Sequence, residues 1–398
     1  MIQTPAHRQL VAMARHNLAH TKAGTIARAP DVFRVPAAHY VDPERFRLEV
    51  ERIFRRLPLV LALSCELRQP GAYKALIAAG MPVLLSRGSD GRLRAFVNMC
   101  SHRGAQLVPD GTGTARRFVC PYHAWAYDER GALVGILSAA DFGEIDPSCH
   151  GLTPLPLAER AGLVWVALDP ASRLDVERFL CGYDALLAEF GFEGWHLVGR
   201  REVAGPNWKL AYDGYLDLYH LPILHKNSFG PDFPNRALYH AFGPHQRVDS
   251  PNPLLAKLEG TPEESWDVRY LMAGVWTIFP HVSIASFDAG GRGVLISQLF
   301  PGASVGESLT LQSYLLERAP NDEQRAAAEK MFELLGSVVR EEDYATGLRQ
   351  QRTLATGARS HVLFGRNEGG GQRFHRWVER LLATDDAALA NAFPGDFG

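Results

Sequence analysis

Cys100 and His102 stand two residues apart, and after a gap of seventeen residues Cys120 and His123 stand three apart. Thiolate and imidazole are metal donors, so a Cys-x-His and Cys-x2-His pair is a metal-binding pattern. Two metals suit it. A structural zinc takes two sulfurs and two nitrogens at one ion. A Rieske [2Fe–2S] cluster takes the two sulfurs on one iron and the two imidazoles on the other. The remaining cysteines, Cys65, Cys149 and Cys181, have no such neighbours and read as structural.

A second group carries oxygen and nitrogen donors. The run Asn207 to His225 contains Asp213, Asp217, His220 and His225. Read as a helix from Trp208 with Asn207 as its N-cap, it places Asp213, Asp217 and His220 on one face at i, i+4 and i+7. Tyr212, Leu216 and Tyr219 then form a bulkier stripe suited to burial. Pro222 lies between the two histidines and must disturb the helix, which frees the backbone to bring both imidazoles to one ion. Two histidines and one carboxylate hold a mononuclear Fe(II) with open positions for oxygen and substrate. A late helix, expected from about Asp322 to Gln351, offers the carboxylate. Met331, Leu334, Leu335, Val338 and Val339 make its apolar stripe, and Asp343 falls four residues further along it. A carboxylate on a buried stripe needs a partner or a metal. Glu341 and Glu342 are expected to point elsewhere.

Other elements must hold these two groups. Residues 1–40 read as an amphipathic arm and lead-in. Asp42-Pro43 starts a helix whose buried face carries Phe46, Val50, Ile53 and Phe54. From Leu57 to Leu168 short apolar strands alternate with turns at Asp90-Gly91, Gly111-Thr112-Gly113 and Arg130-Gly131, which suggests a small all-β domain. Both cysteine–histidine pairs follow strand ends there, after Phe96-Val97 and Phe118-Val119. Past Asp169-Pro170 helices return (Val176–Phe190), residues 265–317 are strand-rich, and the late helix follows. The whole reads as α+β. The expected domains are 1–56 (arm and helix, packing on the catalytic domain), 57–168 (cluster domain) and 169–398 (catalytic domain).

The chain has 398 residues, 46% hydrophobic and 22% charged, with a formal charge of -2. Such a chain buries a large core without disulfides, and its balanced charge points to neither nucleic acid nor an anionic membrane. No apolar run reaches the roughly 18 residues of a spanning helix. Residues 1–20 lack a secretory apolar stretch, so a reducing cytoplasm is the expected compartment.

The stretches Asn98-Met-Cys-Ser-His-Arg-Gly-Ala105 and Cys120-Pro-Tyr-His-Ala-Trp125 resemble the Rieske domain of the Rieske non-haem iron oxygenases. They differ from respiratory Rieske proteins, whose cluster loops carry an extra disulfide-bonded cysteine pair where Ala105 and Tyr122 stand. Ala124 replaces the glycine usual in the family, a conservative change provided its φ stays negative. Asn207-Trp-Lys209, then Asp217-x-x-His220-x4-His225 and the late Asp343, resemble the catalytic α subunit of the same family. Gly214 stands near an asparagine of some branches. The resemblance covers about residues 40–380. It implies an all-β Rieske domain followed by a helix-grip (START/Bet v1-like) catalytic domain with an antiparallel sheet. Cys100, His102, Cys120 and His123 would hold the cluster, and His220, His225 and Asp343 the iron. Asp217 would link the iron to the cluster of a neighbouring subunit by way of His102 or His123.

It further implies NAD(P)H-derived electrons from a separate flavin/iron–sulfur reductase or a ferredoxin, a homotrimer with or without a β subunit, and hydroxylation, dihydroxylation or oxidative demethylation. The segment Trp276 to Phe287 resembles the family's pocket-lining strand, with Trp276, Phe279, His281 and Phe287 facing an aromatic or other hydrophobic substrate. Two other classes remain compatible with the residues: an electron-carrier or ligand-binding protein without oxygenase activity, and a zinc-stabilised binding module.

Overall fold

The structure is a computed structural model describing residues 4–173, 175–232, 236–250 and 253–393. It forms two compact units, 54–176 and 1–53 with 177–398.

The smaller unit is all-β. Its largest sheet has five antiparallel strands, in the order Pro154–Leu155, Leu93–Val97, Met81–Arg87, Ala72–Ala78, Gly111–Thr114. Gly111–Thr114, expected as a turn, is the edge strand of that sheet. It pairs with Ala72–Ala75, and Gly113 lies so close under the Tyr73 ring that a Cβ would clash. A three-stranded sheet joins Pro58–Leu63 to Leu163–Ala167 and Leu157–Arg160. A third sheet, Arg117–Val119, Ala126–Asp128 and Leu133–Gly135, carries the second cysteine loop. Cys100 and Cys120 are buried in one core with Leu84, Phe96, Phe118, Trp125 and Tyr127.

The larger unit begins with helix α1 (Pro5–Ala23), which buries Leu10, Val11, Met13, Ala14 and Leu18. Helix α2 (Pro43–Glu49) is capped by Asp42, whose carboxylate accepts the Glu44 N–H at 2.9 Å. A seven-stranded antiparallel sheet forms the centre. Its strands are β1 (His196–Gly205), β2 (Leu238–Phe242), β3 (His245–Asp249), β4 (Val275–Ile278), β5 (Val282–Asp288), β6 (Arg292–Pro301) and β7 (Ser308–Leu316). They lie in the order β1-β7-β6-β5-β4-β3-β2.

Between β1 and β2 the chain makes two short helices, α3 (Trp208–Asp213) and α4 (Leu221–Leu224). The long helix expected through His220 therefore stops at Asp213, and Asp213, Asp217 and His220 do not share a helical face. The reason is local. Asp217 Oδ1 accepts the N–H groups of Tyr219 and His220 at 2.6 and 3.2 Å, a side-chain turn that competes with the helical ladder. Asp213 is drawn instead to Tyr40 and His375, at 3.0 Å from each. Tyr212 and Leu216 are buried as expected, but Tyr219 is 56% exposed.

The Asn207-Trp-Lys209 run anchors α3. Asn207 caps it through the Lys209 N–H, and the buried Lys209 ammonium and Trp208 indole both donate to the buried Glu49 carboxylate of α2.

Helix α5 (Asp322–Val338) begins with a reciprocal capping box between Asn321 and Gln324. It continues through a π-helical stretch, Val339–Tyr344, into α6 (Ala345–Leu354). Phe332 and Leu335 pack on Tyr314 and Leu295 of the sheet, whereas Leu334, expected on this stripe, is exposed. Helix α7 (Gly369–Ala383) supplies His375 and Phe374 to the core.

Candidate metal centres

The two cysteine loops are built alike. In the first, the Cys100 N–H donates to the Ala105 carbonyl and the Gly104 N–H to the Cys100 carbonyl. In the second, the Cys120 N–H donates to the Trp125 carbonyl and the Ala124 N–H to the Cys120 carbonyl. Gly104 and Ala124 therefore occupy equivalent positions, and both have positive φ, +77° and +55°. The condition that Ala124 keep a negative φ fails: this loop geometry demands the left-handed region, where a Cβ is strained.

Each loop offers one buried thiol and one imidazole. The His102 and His123 rings lie 4.7 Å apart between centroids, and His102 stacks on Trp125 at 4.8 Å. The Nδ1 atoms of both histidines are buried and have no hydrogen-bond partner. Two buried orphan nitrogens and two buried thiols on the same pair of loops fit metal ligation. Among the described residues, only His220, His225 and Asp343 bring three donors close enough for one ion. The wider spread of the cysteine–histidine set fits a cluster with its two irons apart better than one tetrahedral zinc. The Tyr127 hydroxyl lies 3.2 Å from Cys100 Sγ. Ser101 supplies an N–H to that hydroxyl and sends its own proton to the His150 carbonyl. Burial, with His123 and Arg103 nearby, lowers the His102 pKa and favours the neutral imidazole that ligates.

The second centre forms where α4 meets the π-helical stretch. One ligand atom from each of His220, His225 and Asp343 lies within 4.8 Å of the others. Both Nε2 atoms face the same carboxylate oxygen, Asp343 Oδ1, at 3.7 Å from His220 and 3.3 Å from His225. The Nδ1 atoms are held from behind, His220 by Asp217 at 3.1 Å and His225 by Glu342 at 2.6 Å. Glu342, expected to point elsewhere, is thus part of the site. The π-helical stretch widens the turn and lets two consecutive carboxylates reach one imidazole, and nothing in the sequence marks that stretch. Burial pulls the His225 pKa down, but the Asp343 and Glu342 carboxylates outweigh it and leave it raised. Three donors converging beside open space suit an iron with vacant positions.

Two cavities meet at this centre and share Asp217, His220 and Asp343. One, of about 300 Å³, sets acidic and polar groups including Asp213, Glu368 and Tyr40 among apolar ones such as Leu210, Leu354 and Phe364. The other, of about 290 Å³, runs under the sheet and is mostly apolar, with Phe229, Val248, Val275, Phe287, Leu295 and Leu335 in its wall. Of the four residues expected to line a pocket, only Phe287 lines either of these two cavities. Val275, Ala285 and Leu295 are cross-strand neighbours on the cavity face, whereas Trp276 belongs to the next row, with Ile284 and Ile296, on the other face. Trp276 stacks on Tyr183, Phe279 packs on Phe374 and His281 on Phe300, all three buried.

Comparison with known proteins matches residues 58–143 to the Rieske [2Fe-2S] domain and residues 192–384 to the ring hydroxylating alpha subunit (catalytic domain). The carnitine monooxygenase oxygenase subunit of Escherichia coli K12 is 35% identical over 203 residues, 50% of this chain and 54% of that protein. The glycine betaine monooxygenase oxygenase subunit of Chromohalobacter salexigens is 31% identical over 191 residues, 47% of this chain and 42% of that protein. The chain thus spans about half the length of these curated relatives. The chloroplastic choline monooxygenase of Atriplex hortensis aligns at 26% identity over 89% of this chain and 79% of that protein. Among solved structures, naphthalene 1,2-dioxygenase from Rhodococcus superposes with a TM-score of 0.74 at 21% identity, over 95% of this chain and 99% of that chain. A quaternary ammonium Rieske monooxygenase superposes with a TM-score of 0.75 at 22% identity, over 88% and 96%. At those identities the likeness establishes the fold, an α+β chain with an all-β domain and a sheet-and-helix domain. No helix among the described residues is long and apolar enough to cross a membrane. With both family domains matched in order, the chain belongs to the α subunits of the Rieske non-haem iron oxygenases, whose cofactors are a [2Fe–2S] cluster and a mononuclear iron.

Proposed function

We propose that this chain is a terminal oxygenase component that uses NAD(P)H-derived electrons and O2 to hydroxylate a small, neutral, hydrophobic or aromatic molecule. The convergence of His220, His225 and Asp343 on the edge of an apolar cavity carries this reading. In it, residues 57–168 carry the cluster on Cys100, His102, Cys120 and His123. Residues 169–398, with the 1–56 arm, carry the iron on His220, His225 and Asp343. Bound iron supplies open coordination positions and a change of oxidation state for oxygen activation. The chain's own residues do the rest. Phe287, Phe229, Leu295 and Leu335 wall the cavity and keep water from the reacting carbon. Asp217 orients His220 from the acidic side, where electrons enter.

The cavity wall bears on substrate class. Apart from the metal-centre residues, every described side chain lining it is uncharged. A carnitine or betaine carboxylate would find no cation there, so a neutral substrate is favoured. Electrons come from a flavin/iron–sulfur reductase or a ferredoxin. A second copy of the chain is the expected neighbour at each centre, and a homotrimer the expected assembly. In support, Tyr122 and Phe142 beside the cluster histidines, and Tyr219 and Ile223 beside the iron ligands, are large apolar side chains left exposed. The free cysteines among the described residues fit a reducing cytoplasm.

The test is anaerobic iron analysis followed by a substrate panel with a surrogate reductase. Two cluster irons plus one further iron per chain, and NADH-dependent O2 uptake with a hydroxylated or demethylated product, are expected. His220→Ala should keep the cluster spectrum and lose the further iron and the product. A coloured protein with cluster iron only and no product would make the chain an electron carrier instead.

A further inference from the structure

Each imidazole at the candidate iron site has a carboxylate behind it, but the two carboxylates come from different places. Asp217 lies three residues before His220. Glu342 lies 117 positions after His225 and directly precedes Asp343. Its Oε2 sits 2.6 Å from His225 Nδ1 and also accepts the Ser228 hydroxyl at 3.0 Å. His225 Nε2 faces Asp343 on the opposite edge of the ring at 3.3 Å. The imidazole is therefore held at both nitrogens by consecutive residues of one π-helical stretch.

We infer that Glu342 is a positioning residue for the iron site. Resting on the reading of His220, His225 and Asp343 as ligands, this goes beyond it. By accepting the Nδ1 proton, Glu342 fixes the tautomer that leaves Nε2 bare, locks the ring plane and makes the imidazole a better donor. Ser228 in turn fixes the Glu342 carboxylate. Because Glu342 and Asp343 are neighbours in the chain, one backbone segment sets both the direct carboxylate ligand and the orientation of the facing histidine. A shift of the α5–α6 connection would loosen both together.

Glu341 provides the control. It is also acidic and one residue away, but its partner is Arg340 and its side chain is exposed. Full-length protein, cluster intact and further iron removed with a chelator, is titrated anaerobically with Fe(II) alone. Wild type binding one ferrous ion tightly, and His220→Ala not binding it, establishes the site itself. Failure of wild type to bind would refute the ligand reading rather than the role of Glu342. Given a binding wild type, Glu342→Ala is expected to weaken Fe(II) affinity about 10- to 100-fold and to shift the near-infrared ligand-field bands of the ferrous ion. Glu341→Ala should change affinity less than about threefold. Glu342→Gln keeps an oxygen that accepts the Nδ1 proton and should recover most of the affinity and the wild-type bands. Ser228→Ala should fall between. Unchanged cluster absorbance and thermal midpoint certify folding in each case. Glu342→Ala binding Fe(II) like wild type with unchanged bands would overturn the inference. So would an equal loss in Glu341→Ala, which would reduce the effect to net charge, or no rescue by Glu342→Gln.

Discussion

Asp217 is proposed both to orient His220 and to link the two metal centres, and different substitutions separate the two roles. Its Oδ1 accepts three bonds: the Tyr219 N–H at 2.6 Å, the His220 N–H at 3.2 Å and the His220 Nδ1–H at 3.1 Å. Asparagine presents the same oxygen, so Asp217→Asn keeps all three and loses only their charge assistance. Tyr219 is exposed and its bond competes with water, which leaves the two to His220. Halving two partly buried charge-assisted bonds costs about 1 kcal/mol, or roughly 2 °C in the thermal midpoint. Iron should stay bound. Asp217→Ala removes the acceptor altogether, leaves two partly buried N–H groups without it and costs about 2–4 kcal/mol. His220 then turns freely, and iron affinity should drop about 10- to 100-fold.

The electron-transfer role is read separately, by reducing the cluster, mixing with O2 and substrate, and following cluster reoxidation by its visible absorbance. If the Asp217 carboxylate joins the two centres, Asp217→Asn should reoxidise at least about tenfold more slowly with iron in place, a barrier of ~1.4 kcal/mol and the size of one charge-assisted bond. Reoxidation at the wild-type rate would refute the linking role. Loss of the iron in Asp217→Asn would make Asp217 a ligand rather than a bridge.

A cluster-bound Cys100 sulfur has no proton to give, so the Tyr127 hydroxyl 3.2 Å away would be the donor, and a sulfur in the reduced cluster accepts more strongly. Tyr127→Phe should lower the cluster potential by about 40 mV, the equivalent of ~1 kcal/mol for one electron, and an unchanged redox titration would refute that bond. Ala124→Gly removes a left-handed Cβ at φ +55° and should stabilise the cluster unit by about 0.5–1 kcal/mol, read as a later thermal bleaching of the cluster. Earlier bleaching would show that the Cβ is not strained. Burial holds His245 down to about 4, with Nε2–H donating to the Phe179 carbonyl and Nδ1 accepting the Phe279 N–H, so it folds neutral. Unfolded histidine titrates near 6.5, so this contribution is complete above that pH and is lost as pH falls toward 4, at up to ~1.4 kcal/mol per pH unit. His240 and His281, pushed down to about 3 by burial, act in the same direction. Denaturant melts that grow more stable from pH 6.5 to 5 would contradict this.

Both metal centres were legible where the donors are close in the chain. A cysteine and a histidine two or three residues apart after a strand can only sit on one tight loop, so composition and spacing mark Cys100, His102, Cys120 and His123 as candidate metal donors. His220 and His225 flank a proline, and the short helix α4 starting there brings their rings to 5.1 Å between centroids. Asp343 was legible for a different reason, as a charge on an otherwise apolar stripe.

What failed depended on geometry that no local rule carries. The helix expected through Asp217 ended at Asp213 because Asp217 bonds its own backbone while Asp213 reaches Tyr40 and His375, residues far away in the chain. Glu342 entered the site because a π-helical stretch replaced a regular turn. Of the expected pocket residues, Trp276 falls on the other face of its strand from the cavity, since one step along a strand reverses a side chain, while Phe279 and His281 lie in the turn between β4 and β5. The strained φ of Ala124 likewise follows from loop closure rather than from residue type. Sequence alone determined which atoms can bind metal and where the chain must turn tightly, because those are short-range properties of donors and backbone. The tertiary structure decided which carboxylates stand behind the histidines and which residues line the cavity beside them, because those depend on contacts between residues far apart in the chain.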